Sequence, residues 1–158
     1  MRPSWGYLLG VFFVSLLVSS FVVASESSVS RAAVPPVKHP GLEPMSSTPV
    51  VWDALVKIYV KGIFHKTVYF TAHSRSRTKD VDPFNIDHIG FESTIKAYDN
   101  LGWHVIHRGR SEQWNGWYVT ESWSDGAHYG RYIATTNHWF EDARFQNWYP
   151  TLTASAER

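Results

Sequence analysis

The sequence of 158 residues contains no cysteine. Disulfide bonds, a thiolate nucleophile, a lipid-attachment cysteine and a cysteine-ligated zinc ion are therefore excluded, and stability must come from packing alone. Many small secreted eukaryotic domains are held together by disulfides. The absence of cysteine therefore favours a bacterial envelope protein, although a chain of this length can fold without disulfides.

Residues 25–158 have no net charge. There are 15 lysines and arginines and 14 acidic residues, and Arg2 is the only charged residue among the first 24, so residues 25–158 hold 14 of each sign. A neutral chain has no long-range field that would attract nucleic acid. The one basic run, 74–79, leads directly into Asp80 and Asp82 and predicts a charge-balanced loop. We expect no nucleic-acid partner.

A long apolar run, residues 7–24, follows Arg2. As a helix it would extend about 27 Å, enough to remain as a transmembrane helix that anchors the chain in the cytoplasmic membrane and faces it outward. Val22 and Ala24 also fit a signal-peptidase site, with cleavage after Ala24 and a secreted or periplasmic product. Both alternatives predict an extracytoplasmic location.

The remaining chain divides by composition. Residues 25–49 are rich in proline and serine and predict a linker. Residues 50–150 are rich in aromatic side chains and predict one globular domain, and residues 151–158 predict a frayed tail.

Helices and strands are both predicted within the domain. Apolar residues at helical spacing predict a helix over 52–61, Asp87 and Gly102 are placed to cap a helix over 89–101, and Asn137 is placed to cap a short helix over 138–147. Strands are predicted over 66–72, 103–107, 117–124 and 127–137, with a loop over 74–85. The sequence therefore predicts an α+β fold, with helices on one face of a mainly antiparallel sheet that can curve.

The last two predicted strands are expected to form a hairpin around a type I′ turn at Asp125-Gly126. The register of that hairpin assigns one face to the core. Its expected members are Trp117, Val119, Glu121, Trp123, Tyr132 and Ala134, with His128 beside Trp123.

Candidate metal ligands are present but badly spaced. His104 and His107 lie three apart in a predicted strand and should point to opposite sides. The segment from Asp80 to Asp87 holds three carboxylates but lacks the glycine and the final glutamate of a calcium loop. We expect no metal and no cofactor.

Two sets of residues are candidates for function. Glu121 and His128 are weak catalytic candidates, because a carboxylate among tryptophans has a raised pKa and suits acid–base chemistry. Trp114, Trp139, Trp148 and Tyr149 are candidates for a binding surface, since so many large aromatic residues are rarely all buried in a domain of this size.

Three functions follow from these features. The leading hypothesis is a non-catalytic binding or assembly module that contacts envelope or membrane proteins, for example as an accessory subunit of a bacterial envelope or secretion complex. One alternative is an exported small hydrolase or isomerase that uses Glu121 and His128 in a sheet-walled pocket. The other is a secreted carbohydrate-binding domain that uses exposed tryptophans.

Overall fold

A computed structural model describes residues 28–40 and 49–158, and every regular element in these two ranges is a β-strand. There are eight: β1 (Ser28–Val34), β2 (Val50–Lys61), β3 (Thr67–Thr78), β4 (Ile86–Asp99), β5 (Gly102–Gly116), β6 (Tyr118–Gly126), β7 (Arg131–Glu141) and β8 (Thr151–Glu157). The strands form two antiparallel sheets, in the order β1-β2-β3-β6 for the first and β5-β4-β7-β8 for the second. The apolar inner faces of the two sheets pack on each other as a β-sandwich.

The predicted α+β fold is therefore wrong: the described part of the chain is all-β. The helix predicted over 52–61 rests on the four-residue spacing of Trp52, Val56 and Val60. That spacing is ambiguous, because residues four apart lie on one face of a helix and also on one face of a strand. These three are buried on the inner face, whereas Leu55 and Tyr59 lie on the outer face and are half-buried. The true period is two, and the segment is β2.

The other two predicted helices fail for the same reason. Phe91 and Ile95, four apart, both point into the core from β4, but Tyr98 faces outward and is exposed. Gly102 does not cap a helix; it has a φ of 104° and follows the two-residue turn of the β4–β5 hairpin. The helix predicted over 138–147 begins inside β7, which continues to Glu141.

The predicted hairpin between β6 and β7 is also wrong, because the two strands lie in different sheets. β6 pairs with β3, and β7 pairs with β4 and β8. After Gly126 the chain leaves the first sheet, and the amide of Ala127 donates a hydrogen bond of 2.8 Å to the carbonyl of Lys66. The predicted core face is confirmed in part: Val119, Tyr132 and Ala134 are buried and Trp123 packs against the core, but Trp117, also predicted there, is exposed.

Both ends of the described chain are more ordered than the sequence predicts. Residues 28–34, within the predicted linker, form β1, and residues 151–157, the predicted tail, form β8. The Ser28 hydroxyl donates a hydrogen bond of 2.8 Å to the carbonyl of Ser155 and so joins the two sheets at this edge. The strands predicted over 66–72 and 103–107 are confirmed within β3 and β5, and β3 continues to Thr78, where a loop is predicted.

The predicted leader, residues 1–24, lies outside the described residues. Within 28–40 and 49–158 there is no helix, and hence none of the length and apolarity needed to cross a bilayer. The predicted α+β organisation is therefore corrected to an all-β fold over the described ranges.

Candidate functional site

Most of the predicted binding residues meet on the outer face of the second sheet, where β5, β4 and β7 lie side by side. Trp114 on β5 is opposite His88 on β4, and His88 is opposite Glu141 on β7. In the next row, Glu112, Gly90 and Trp139 are aligned in the same way. We call this group, with Arg110 and Tyr149, the aromatic platform.

His88 holds the platform together. Its ring stacks on the indole of Trp114, with the ring centroids 3.9 Å apart and the planes 4° from parallel. The Trp139 indole donates a hydrogen bond of 3.2 Å to Nε2 of His88, so this nitrogen must be the unprotonated one. Nδ1 then carries the proton and donates to Glu141 Oε2 at 2.8 Å. This neutral tautomer fixes the orientation of both tryptophans.

Gly90 makes room for Trp139. A Cβ atom at position 90 would overlap the Trp139 indole, which lies across β4 at this point. The guanidinium of Arg110, which is on β5, lies 5.2 Å from the centre of the same indole. Glycine is therefore required here so that a side chain from β7 can reach the middle of the platform.

Two carboxylates border the aromatic rings. The Tyr149 hydroxyl donates a hydrogen bond of 2.7 Å to Glu141 Oε1, and this bond, with the one from His88, lowers the pKa of Glu141. Arg110 bonds Glu112 at 2.8 Å and lowers the pKa of that carboxyl group. Glu112 Oε2 also lies 3.3 Å from His88 Nε2. Both carboxylates are ionised at neutral pH.

One face of Trp114 is open. The side chain is 71% exposed although its inner face is covered by His88, so the opposite face of the indole meets solvent. Tyr149 is also exposed. The platform thus offers a flat apolar surface surrounded by hydrogen-bonding groups, an arrangement that suits a ligand with one apolar face and many hydroxyl groups.

Three of the four predicted binding residues belong to this platform: Trp114, Trp139 and Tyr149. Trp148 does not belong to it. Its neighbour Tyr149 points outward, so Trp148 points inward, and its ring lies 5.1 Å from that of Phe140, against the core. The polar members of the platform are not among the residues predicted from the sequence: His88, Arg110, Glu112 and Glu141. A strand interpretation of 86–99 would have placed His88 outward, because Ile89, Phe91 and Ile95 face the core.

The catalytic candidates are placed apart. Glu121 lies on the inner face of β6, where it accepts a hydrogen bond of 2.8 Å from Ser93 and is 2.7 Å from His107 Nε2. His107 also stacks on Trp123, with the ring centroids 5.1 Å apart. His128 lies beyond the end of β6, next to Gly126. The structure thus gives Glu121 a different histidine partner from the predicted one.

The metal candidates do not converge. A β-bulge in β5 puts His104 opposite Ala97 and His107 opposite Ile95, so both lie on the inner side of the strand, contrary to the predicted opposite orientation. Asp87 accepts a hydrogen bond of 2.8 Å from the Ala143 amide. Within 28–40 and 49–158 no three histidine or carboxylate side chains are grouped closely enough to hold a metal ion.

No protein-family model matches the chain, and neither the curated proteins nor the solved structures searched include a match to it.

Proposed function

We propose that this protein is a non-catalytic binding module that binds a saccharide on the aromatic platform. The observation that carries the proposal is the open indole face of Trp114, whose other face stacks on His88. Glu112 on the same strand, and Glu141 across β4, supply ionised carboxylates on the same face of the sheet. The C–H groups on one face of a pyranose ring stack on such a surface, while its hydroxyl groups can donate hydrogen bonds to Glu112 and Glu141.

The charges around Trp114 favour a saccharide over other stacking ligands. A nucleotide base could stack on the same indole, but Glu112 and Glu141 would repel its phosphate groups. The platform arginine, Arg110, is already paired with Glu112 at 2.8 Å. A neutral polyhydroxylated ligand satisfies the acceptors without introducing a like charge.

An extracytoplasmic location, predicted from the apolar run 7–24, is part of this proposal because polysaccharides are abundant outside the cytoplasm. Binding to envelope or membrane proteins and the exported-enzyme alternative stay predictions. The Ser93–Glu121–His107 group is the observation on which an enzyme hypothesis would now rest.

The test is binding of the full chain to immobilised polysaccharides: cellulose, chitin, xylan, mannan, β-1,3-glucan and peptidoglycan. Retention would be measured for the wild type and for Trp114→Ala. We expect at least one polymer to retain the wild type and Trp114→Ala to weaken that binding at least tenfold, because the variant removes the stacking surface.

Trp103→Ala is the matched control. Trp103 is an exposed tryptophan on the outer face of the same strand, near its opposite end, so its loss should leave the binding unchanged. Retention of the wild type by none of the six polymers, or equal binding by the Trp114→Ala variant, would refute the proposal.

A further inference from the structure

Three apolar side chains project from turns and are almost completely exposed. Ile63 and Phe64, between β2 and β3, are 86% and 93% exposed, and Leu101, between β4 and β5, is 97% exposed. Turn positions in soluble proteins are usually polar, so three large apolar residues in such places indicate a contact with something apolar. We call these three residues the apolar tips.

The backbone explains why they project. Gly62 has a φ of 123°, a conformation that side chains rarely adopt, and it directs the next two residues away from the sheet. The β4–β5 turn has only two residues, 100 and 101, and the Leu101 amide donates a hydrogen bond of 2.8 Å to Asp99. The tips are therefore held outward by tight turns.

Both turns lie at the same end of the sandwich. The Ala127 amide bonds to the carbonyl of Lys66, at the base of the first turn. Four residues later, Arg131 pairs with Tyr98, at the base of the second turn. The short link from 127 to 131 thus connects the bases of the two turns. Because packed sheets lie about 10 Å apart, the two turns are close neighbours.

Amphipathic residues lie behind the tips. Trp103 and Tyr98 are paired across the β4–β5 hairpin, with ring centroids 5.2 Å apart, and both are exposed. Lys61 and Lys66 flank the Ile63–Phe64 turn. Apolar tips backed by tryptophan, tyrosine and lysine combine the side chains that proteins place at the boundary between the acyl region of a bilayer and its headgroups.

We propose that the apolar tips insert into the surface of a lipid bilayer that contains anionic lipid. The tips are separate convex projections, and a fluid bilayer can surround each of them, whereas a flat protein surface would touch only their ends. Asp99 and Asp125 lie at the same end of the sandwich and offset part of the positive charge of the two lysines. Insertion of the tips therefore supplies most of the binding, and the lysines add a smaller attraction to anionic lipid. This inference does not depend on saccharide binding.

The cysteine-free sequence allows a direct test with a single introduced cysteine. The full chain carrying Leu101→Cys is labelled with a polarity-sensitive fluorophore and mixed with vesicles of phosphatidylcholine and phosphatidylserine, seven to three. A label at Ala143, an exposed position at the far end of the sandwich, is the control. We expect a blue shift, and quenching by lipid-attached nitroxide, for the label at 101 and neither for the label at 143.

Attachment through residues 7–24 alone would not produce this difference, because it would not place position 101 in the lipid. In the labelled chain, Ile63→Ser with Phe64→Ser should reduce partitioning of the label into the bilayer at least tenfold. Both residues are almost fully exposed, so the fold should be unaffected. No shift at 101, equal shifts at 101 and 143, or a concentration-dependent shift without vesicles, which would indicate self-association, would each overturn the proposal.

Discussion

His138 and Ser74 connect the two sheets through a buried hydrogen bond of 2.8 Å between Nδ1 and Oγ. The Ser74 hydroxyl donates to the carbonyl of Gly90 at 2.9 Å, so its oxygen must accept from His138. Thr136 then donates to the other ring nitrogen at 2.8 Å. The chain of three bonds satisfies every polar atom of the imidazole and fixes its neutral form in the core.

We predict that the folded protein loses stability in acid because of His138. Burial, with a smaller effect of His73, lowers its pKa from 6.5 to about 4. Below pH 6.5 the unfolded chain takes up a proton that the folded chain does not, so the free energy of unfolding falls as the pH falls from about 6.5 to 4. The full difference corresponds to about 3 kcal/mol. Urea unfolding at a series of pH values measures it.

His138→Gln separates this contribution from that of His73, whose pKa burial also lowers. The variant should be less stable at pH 7 and should show a shallower loss of stability between pH 6.5 and 4. Parallel pH profiles for the variant and the wild type would show that His138 is not the group responsible.

Gly90→Ala should disrupt the aromatic platform. The added methyl group overlaps the Trp139 indole, so the ring must move away from His88, at a cost of about 2 kcal/mol in the free energy of unfolding. Saccharide binding should fall with it. Gly130→Ala is the control, since a Cβ at position 130 meets no atom within 4 Å. Equal stability of the two variants in thermal unfolding would contradict the close contact.

Trp148→Ala should mainly affect stability, whereas Tyr149→Phe should mainly affect ligand binding. Trp148 packs against Phe140, so its truncation should lower the free energy of unfolding by about 2 kcal/mol through the cavity it leaves. Tyr149→Phe removes the hydrogen bond to Glu141 and the exposed one that the hydroxyl accepts from Asn147; it should cost less than about 1 kcal/mol and alter ligand binding instead. Denaturant unfolding and polysaccharide retention distinguish the two roles; a destabilised Tyr149→Phe would reverse the assignment.

Asp53 is completely buried on the first sheet and forms ion pairs with Arg31 and Arg75 at 2.7 and 2.8 Å. Burial is the largest single influence on its pKa and raises it, but the hydrogen bonds and charges of the two arginines together outweigh burial and lower it. Arg75→Met should cost about 2 kcal/mol of stability because it leaves the buried charge half-compensated.

Arg31→Met should cost less than Arg75→Met, since the Arg31 side chain is 50% exposed and that of Arg75 only 29%. Adding Asp53→Asn to Arg75→Met should recover part of the loss. No recovery in chemical unfolding would mean that packing of the arginine stem, and not its charge, supplies the stability.

The sequence predicts single strands better than it predicts their partners. Alternation identifies the inward residues of β6 and β7, but nothing within residues 117–137 shows that the chain changes sheets at Ala127. A four-residue spacing such as that of Phe91 and Ile95 fits a helix and a strand equally, so β4 could be distinguished only by the outward Tyr98. The tryptophans of the platform are predictable from composition, whereas the place of His88 depends on pairing across three strands.

The β4–β5 hairpin is one antiparallel pairing, with a single β-bulge, that carries Leu101 at one end and Trp114 near the other. Thirteen residues of extended chain span about 40 Å. If the turn touches a lipid surface, the hairpin holds Trp114 at a fixed distance from that surface, well beyond the headgroup layer. The length of the strands would then determine the distance between the membrane surface and the saccharide site. Lengthening the hairpin by residue pairs would increase that distance in measurable steps.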